Sequence, residues 1–355
     1  MNKPKNLFSR FGTYTLILLW AMVWLIFFQG WYHYHFFFQE QNQLFLNSWS
    51  YLCTYFEKPA WLACLLGDWL TQFYYYLYAG PVILCCALFL TGIVCLKALQ
   101  TAGIQRPWLA TSIAMMIMTI EAIFSFHYDH RLPSVLAVIG GATIFWLSTL
   151  LARHINRHSQ WLSAMMIFLS ATLTFWLFGC GIWMYSLLLI TGWLIHIKEA
   201  NSYLHLGILA ITLFIISIGK RIYFLPFDAL YSYPGIGKLI MPQLDLEKTF
   251  AADDEYYFGN YSKLTRMVEA DPNPNQYMKY YYNLVMAQQR KLPDRLLAFS
   301  KNYLGTFENI GPDTPTLTIK TLNELYWILG DMTFAERATI LGMVNSPNNR
   351  NIRMT

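Results

Sequence analysis

Residues 80–96 read GPVILCCALFLTGIVCL, and no side chain in this run is charged. A helix that crosses the hydrocarbon core of a bilayer needs about 20 mostly apolar residues. The run is close to that length, and Lys97 follows it, as is typical of a boundary between membrane and cytoplasm. It therefore predicts a membrane-spanning helix.

Similar apolar runs recur through the first part of the chain. There are seven, and they are Phe11–Phe28, Gly80–Leu96, Pro107–Phe124, Pro133–Leu151, Trp161–Phe178, Ile182–Ile197 and Tyr203–Gly219. We therefore predict an all-α protein, with a polytopic membrane helix bundle of about seven spans in residues 1–221.

The composition also indicates a membrane protein. Of the 355 residues, 56% are hydrophobic and only 13% are charged, whereas a soluble domain carries about 25% charged residues. The aromatic share of 17% is typical of rings placed at membrane interfaces. We therefore expect residues 1–221 to have the lipid bilayer as their main partner.

Charge is divided unevenly between two parts of the chain. Up to Arg221 there are 12 Lys and Arg residues and 6 Asp and Glu residues, which gives a net charge of +6. From Ile222 onward the counts are 13 and 14, which gives −1. A nucleic-acid partner usually requires a basic surface, so the sequence argues against nucleic-acid binding.

Positive charges in the short loops predict the orientation of the spans. With the N-terminus in the cytoplasm, eight Lys and Arg residues fall on the cytoplasmic side and two on the outer side, which follows the positive-inside rule. The eight are Lys3, Lys5, Arg10, Lys97, Arg106, Arg153, Arg157 and Lys198, and the two are Lys58 and Arg131. Seven spans in a bacterial inner membrane then place the C-terminal tail in the periplasm.

Two features complicate this orientation. Lys220 and Arg221 follow the last predicted span on the outer side. A further span at Trp61–Tyr78 would also move the tail to the cytoplasm. Asp68 lies within that stretch, however, and makes it a poor candidate for a span.

The first outer loop, residues 29–79, is unusually long. Within it, Leu44–Phe56 and Trp61–Tyr76 predict amphipathic helices that lie on the membrane surface. Cys53 and Cys64 share this loop, where they either form a disulfide outside the cytoplasm or remain thiols.

The C-terminal part has a different pattern. Residues 222–252 predict a linker, because prolines and the turn Tyr233-Pro234-Gly235 interrupt any helical periodicity. Residues 253–355 predict a soluble helical tail that begins with a helix at Tyr256–Glu269. The run Thr333-Phe334-Ala335-Glu336 has the spacing of a capping box. Short helices joined by turns resemble a degenerate tetratricopeptide (TPR) array, so we predict a TPR-like tail of helical hairpins.

Side chains that could carry chemistry lie mostly in two outer loops. His127 and Asp129 supply an imidazole and a carboxylate, a donor pair suited to a divalent metal, although outer loops are also polar simply because they face water. Glu121 precedes this loop inside an apolar run, where an ionisable group is either functional or able to reach water at the helix end. The candidates are His33, His35, Glu40 and Asp68 in the first loop and His127, Tyr128, Asp129, His130 and Arg131 in the second.

Several short motifs are similar to those of an uncharacterised bacterial family of multi-pass membrane proteins. They are Tyr32–His35, Gln39–Gln41, Leu44–Leu46 and Leu70–Tyr75 in the first loop, and Leu329–Arg337 in the tail. This family carries a domain of unknown function, so the resemblance implies a membrane protein and no particular activity. Its members extend further, which implies that the chain stops within its helical array.

The arrangement also resembles, more loosely, the membrane module of lipid-linked sugar transferases. Those enzymes have a cytoplasmic N-terminus, a long first outer loop, and acidic residues in the first two outer loops that hold a metal or orient the acceptor. The resemblance implies Glu40 and Asp129 as catalytic residues, with His127 and Asp129 as metal ligands. The chain departs from that pattern, because no acid closely follows the first span and no Asp-x-Asp pair is present.

The sequence lacks the motifs of a phosphate-binding loop, a nucleophile elbow or a zinc-binding helix, and it specifies no cofactor. Our first hypothesis is therefore a non-enzymatic protein of the cell envelope. In it the membrane part is an anchor or scaffold, and the helical tail binds a protein partner. The alternative is a membrane glycosyltransferase-like enzyme that uses a lipid-linked sugar at the outer face.

Overall fold

The computed structural model describes residues 7–155, 160–195, 201–218, 223, 226–295, 324–345 and 348–354. This part of the chain is helical and contains no β-strand, which confirms the predicted all-α class. In chain order the helices are α1 (Leu7–Trp31), α2 (Tyr34–Gln41), α3 (Trp49–Cys53), α4 (Trp61–Thr71), α5 (Ala79–Ala102), α6 (Pro107–Phe124), α7 (Leu132–Ile155), α8 (Gln160–Phe178), α9 (Gly181–Ile195), α10 (Asn201–Ile218), α11 (Phe227–Ser232), α12 (Leu244–Tyr257), α13 (Tyr261–Ala270), α14 (Gln276–Gln288), α15 (Leu292–Arg295), α16 (324–329), α17 (Met332–Asn345) and α18 (Asn349–Met354).

Apolar helices long enough to cross a membrane confirm the membrane character of the chain. Within the described residues there are five, with apolar segments at Gly12–Trp31, Ala79–Ala102, Pro107–Phe124, Leu132–Ala152 and Trp161–Phe178. The last two of the seven predicted stretches correspond to shorter apolar helices, Gly181–Ile195 and His205–Ile218.

The chain divides into two compact units. The membrane unit contains Met1–Gly30 and Leu46–Pro242, and the helical-tail unit contains Trp31–Phe45 and Gln243–Thr355. This division differs from the predicted one, which placed the whole first loop (29–79) with the membrane part. The difference arises because the side chains of α2 are buried among residues of the tail rather than exposed in a loop.

Small residues allow α7 and α9 to pack closely in the membrane unit. A Cβ atom added to Gly141 would lie 2.1 Å from the carbonyl oxygen of Gly181. One added to Gly181 would lie 2.2 Å from the carbonyl oxygen of Ala137. The two backbones therefore meet without an intervening side chain, as in other closely packed membrane helices.

The first predicted surface helix is shorter than expected. Of the stretch Leu44–Phe56, only α3 is α-helical, and a 3₁₀ turn at Thr54–Glu57 follows it. The helix starts late because the Ser48 side chain accepts a hydrogen bond from the backbone N–H of Tyr51 at 3.4 Å, and so caps the helix there.

The second predicted surface helix is present as α4, which a 3₁₀ turn extends to Tyr75. It has 11 residues and is therefore about 17 Å long, too short to cross a hydrocarbon core of about 30 Å. Gly67 packs against α7, since a Cβ atom there would lie 2.6 Å from the Pro133 ring. These features exclude Trp61–Tyr78 as a single spanning helix.

The helical tail begins earlier than predicted. The predicted linker at 222–252 overlaps α12, which begins at Leu244. Acidic Asp245 and Glu247 in the first turn complement the helix dipole. Phe250 of α12 then stacks on Phe38 of α2, with ring centroids 4.3 Å apart. Charge and burial together thus favour a helix where prolines had indicated a linker.

Two local predictions in the tail were also wrong. The single helix predicted at Tyr256–Glu269 is divided into α12 and α13 by Gly259, whose φ of +73° suits glycine and ends the helix. The sequence predicted Thr333 as the N-cap residue of this helix, but the N-cap is Asp331. Its Oδ1 accepts a hydrogen bond from the backbone N–H of Phe334 at 3.1 Å. Aspartate is the stronger N-cap residue, so Thr333 lies inside α17.

A small apolar core holds α13 and α14 together. Leu264 and Val268 of α13 and Tyr281 and Val285 of α14 are all 0% exposed. In each helix the two residues are four apart and so share one face. Burying a large apolar side chain contributes about 1.5–3 kcal/mol, which makes this pair of helices a stable centre for the tail.

Candidate functional site

Glu40 is an internal residue of the helical-tail unit. Its side chain is 1% exposed, and Arg353 of α18 donates to both carboxylate oxygens, from Nη2 to Oε1 at 2.6 Å and from Nη1 to Oε2 at 3.1 Å. The Asn349 side chain donates to Oε1 at 2.9 Å. Burial raises the pKa of Glu40, and the bonds from Arg353 partly offset this. Glu40 thus connects α2 with α18 through these hydrogen bonds.

His127 and Asp129 lie together in the loop between α6 and α7. His127 Nδ1 is 3.7 Å from Asp129 Oδ2, and it accepts the backbone N–H of Asp129 at 3.1 Å. This leaves Nε2 as the ring atom open to a metal. In the described part of the chain, no three or more His, Cys, Asp or Glu side chains are grouped to hold a metal ion. A metal ion at His127 and Asp129 would therefore need further ligands other than described His, Cys, Asp or Glu side chains.

The two predicted catalytic carboxylates belong to different units. Glu40 is part of the helical-tail unit, and Asp129 is part of the membrane unit. The Asp129 side chain is 68% exposed, unlike that of Glu40. The proposed joint role of these carboxylates remains a prediction.

Glu121 and His130 form a buried pair in the membrane unit. Glu121 is 6% exposed and His130 is 7% exposed, and His130 Nε2 lies 3.5 Å from Glu121 Oε2. Glu121 therefore does not extend into water, which was one of the two expectations for it. The Phe124 ring lies 5.7 Å from the imidazole, centroid to centroid. At 3.5 Å the two groups are close enough for electrostatic attraction but beyond a normal hydrogen bond.

Other parts of the membrane unit close around this pair. Cys95 of α5 and Cys180, between α8 and α9, have their thiols within electrostatic range of Glu121. Burial, with a smaller contribution from Glu121, raises the pKa of Cys180 to about 12. The Cys180 thiol donates a hydrogen bond to the carbonyl oxygen of Gly235 at 3.8 Å. The segment after α11 therefore covers the same region.

A second polar cluster surrounds Asp68 on α4. Tyr55 donates a hydrogen bond to Asp68 Oδ2 at 2.9 Å. Burial raises the pKa of Asp68 to about 6, while the bond from Tyr55 and the charge of Arg131 lower it. Cys64 and Cys53 are both free thiols in this structure, which is the second of the two alternatives left open by the sequence.

The first-loop histidines face an acidic residue that sequence reasoning missed. His35 is 1% exposed, and its Nδ1 lies 3.5 Å from Glu247 Oε2. Glu247 Oε1 also accepts the backbone N–H groups of Tyr34 at 2.5 Å and His35 at 3.3 Å, so it caps α2. Burial lowers the pKa of His33. Glu247 was missed because it lies in the predicted linker, although the acidic first turn of α12 was a signal of a helix.

A buried ion pair closes the helical-tail unit. Arg350 Nη1 lies 2.6 Å from Asp253 Oδ1, and both side chains are 1% exposed. Arg350 also pairs with Glu324 at 3.4 Å, and Tyr281 donates to Asp253 at 2.5 Å. Burial, with the nearby charges of Glu255 and Asp253, raises the pKa of Asp254 to about 7. The sequence did not indicate these pairs, because their members are far apart along the chain.

Comparison with known proteins places the chain in a family. Residues 9–355 match a family described as a family of unknown function, DUF6057. No curated protein and no solved structure matches the chain. The match covers nearly the whole sequence and confirms the expected resemblance to a family whose domain has no known function. The chain therefore belongs to the family of unknown function DUF6057.

Proposed function

We propose that this protein is a membrane anchor of the bacterial cell envelope whose helical tail binds a protein partner. The observation that carries the proposal is an apolar hairpin face on α16 and α17. Its exposed side chains are Trp327, Leu329, Met332, Phe334, Ile340 and Val344. Val344 is 79% exposed and Leu329 68%, and exposed apolar side chains concentrated on two neighbouring helices are typical of an interaction site.

The local structure keeps this apolar hairpin face outward. Gly330 takes a positive φ of +78°, so the chain turns sharply between the helices. Ala335 and Thr339 are buried on one side of α17, whereas Ile340 and Val344 are exposed. The helix therefore has one side packed within the tail and an opposite, apolar side that is exposed and available to a partner.

The chain segments that belong to the helical-tail unit support a tail on the outer side of the membrane. Trp31–Phe45 follows α1 directly and folds with the tail. On this proposal the tail lies on the side of the membrane where α1 emerges, and the chain would cross the membrane an even number of times between Leu46 and Pro242. Four crossings by α5–α8 satisfy this condition, as do six by α5–α10, which would make seven spans with α1 and would include the shorter helices α9 and α10. The positive-inside rule then assigns the N-terminus to the cytoplasm and the tail to the periplasm.

We also propose that the tail is a TPR-like array. Helices α12, α13 and α14 have 14, 10 and 13 residues and are joined by short turns. Their shared core is consistent with stacked helix pairs, which provide surfaces for peptide or protein partners.

Co-purification of proteins with the full chain from detergent-solubilised membranes tests whether the apolar hairpin face binds a protein partner. Trp327→Ser and Val344→Asp remove apolar area from the face without changing the buried core, so both variants should lose proteins that the wild type retains. Leu244→Ser is the matched control, because Leu244 is 52% exposed in the same unit but lies outside the apolar hairpin face. An unchanged set of retained proteins in both face variants would contradict the proposal.

The transferase alternative has less support. It requires the Glu40 carboxylate to act on a substrate or metal, whereas Arg353 and Asn349 already occupy both of its oxygens. Catalysis through Glu40 would therefore require α18 to leave its place. We accordingly prefer the anchor to a lipid-linked sugar transferase.

A further inference from the structure

Helix α11 and the segment after it lie against one end of the membrane bundle. The backbone N–H of Cys180 donates a hydrogen bond to the carbonyl oxygen of Tyr233 at 2.8 Å, and the Trp183 indole donates to the carbonyl oxygen of Tyr231 at 3.1 Å. Cys180 lies between α8 and α9, and Trp183 lies in the first turn of α9. These bonds hold the start of the segment at the turn between α8 and α9.

The segment then crosses to the end of α6. A Cβ atom added to Gly235 would lie 3.3 Å from Ser134 Oγ, near the start of α7, and one added to Gly237 would lie 2.2 Å from Cγ of Phe124. Phe124 is the last residue of α6, which is long and apolar enough to span a membrane. Because a spanning helix ends where the hydrocarbon core ends, we place Gly237 at the level of the membrane interface.

Apolar side chains on either side of Gly237 are exposed. Ile236 is 54% exposed, Leu239 68% and Met241 84%. Residues 235–243 form neither helix nor strand, so this surface does not belong to a spanning helix. Contact of neighbouring large apolar side chains with water is unfavourable, and their concentration in one short segment therefore points to an apolar neighbour.

The position of segment 236–241 favours lipid as this neighbour. It begins at the end of α6, and α6 lies at an edge of the bundle, since its Trp108 and Met116 are 62% and 58% exposed. Apolar side chains exposed on a spanning helix face lipid, so the segment continues a surface that already meets the bilayer. Lys238 is also exposed, and a lysine can keep its charge among lipid headgroups while its carbon chain lies on apolar groups.

We propose that segment 236–241 is an interfacial anchor, which inserts its three exposed apolar side chains among the phospholipids of the adjacent leaflet and holds Lys238 beside their phosphates. A backbone outside helix or strand needs water or headgroups as hydrogen-bond partners, so the anchor lies at headgroup level. Because the helical-tail unit begins at Gln243, the anchor fixes the point at which the tail leaves the membrane. The proposal is independent of the protein partner of the tail.

Photo-crosslinking of the full chain in membrane vesicles tests the anchor. A benzophenone amino acid replaces Leu239 or Met241, one at a time, and the crosslinked products are identified by mass. Both side chains are more than two-thirds exposed, so the replacements leave the packing intact. Each position should form adducts with phospholipid. Met116 on α6 is the positive control, and exposed Ser262 in the tail is the control that should form far fewer lipid adducts.

A charge within the anchor should weaken its insertion. With the benzophenone at Leu239, Met241→Asp should lower the yield of lipid adduct severalfold, because a carboxylate is unfavourable in the leaflet and is repelled by anionic headgroups. Gln243→Asp is the matched control, since Gln243 is exposed just outside the segment, and it should leave the yield unchanged.

Three results would overturn the proposal. The first is a crosslink from either position to a second copy, to the tail or to another protein in place of lipid. The second is the absence of lipid adducts at these positions under conditions in which Met116 forms them. The third is an unchanged yield in Met241→Asp.

Discussion

Replacing Arg350 by methionine should strongly destabilise the helical-tail unit. The guanidinium is 1% exposed and pairs with Asp253, which is also 1% exposed, and with Glu324. Methionine fills similar apolar volume but leaves both carboxylates without their cation. Removing one member of a buried ion pair costs about 3–5 kcal/mol, because the remaining charge stays buried and uncompensated. This is a large fraction of the 5–15 kcal/mol typical of whole domains.

Hydrogen exchange measured by mass spectrometry on the full chain in detergent can resolve this loss. Peptides from α2 and α12 report the opening free energy of the helical-tail unit, and α5 serves as an internal reference from the membrane unit. In Arg350→Met the opening free energy should fall in α2 and α12 and stay unchanged in α5. Adding Asp253→Asn should recover part of the loss, since the buried charge is then removed.

Lys248→Met is the matched control for this prediction. Lys248 also pairs with a carboxylate, Asp271 at 2.7 Å, but its side chain is 48% exposed. Exposed ion pairs contribute little to stability, so exchange should be nearly unchanged. A change of less than about 1 kcal/mol in Arg350→Met would show that the ion pair does not stabilise the unit, because the cost of a buried unpaired charge is well above that value.

Three further variants test other parts of the structure. Asp254→Asn should stabilise the helical-tail unit above about pH 7. In the fold the pKa of Asp254 is raised from its ordinary value of 3.8 to about 7, so the stability of the wild type falls as the pH rises through this range. Urea unfolding of the variant should lack this pH dependence. Gly141→Ala should lower the thermal stability of the membrane unit by about 1–3 kcal/mol, because the added methyl group would meet the Gly181 backbone; an unchanged melting temperature would contradict this packing. Glu247→Gln weakens the cap of α2 and should speed exchange at Tyr34, while equal exchange would show that the carboxylate charge is unimportant there.

The sequence predicted those features that depend on neighbouring residues. A run such as Gly80–Leu96 is apolar throughout, so its helical structure and its preference for a membrane follow from the run itself. The all-α class and the membrane part were therefore predictable. The length of an individual helix is less predictable, since Gly181–Ile195 is shorter than the other apolar helices.

The remaining features depend on residues that are distant along the chain. Tyr34 and Glu247 are 213 positions apart, and no local pattern indicates that an acid in an expected linker will cap a helix in the first loop. Similarly, the transferase resemblance pointed to Glu40 as a catalytic group, whereas its position is explained by Arg353 near the other end of the sequence. Glu121 was identified as unusual from its apolar surroundings, but its pairing with His130 required the structure.

The proposed topology has Trp31–Phe45 and the helical tail, which form one unit, on the same face of the membrane. Labelling with a membrane-impermeant maleimide in sealed vesicles of known orientation tests it. The six native cysteines are replaced by serine, and single cysteines are then introduced at exposed Asn47, which follows Trp31–Phe45, at exposed Ser262 in the tail, and at exposed Gln105 between α5 and α6. In this topology Asn47→Cys and Ser262→Cys are labelled from the same side and Gln105→Cys from the other. Labelling of Asn47→Cys and Ser262→Cys from opposite sides would contradict it.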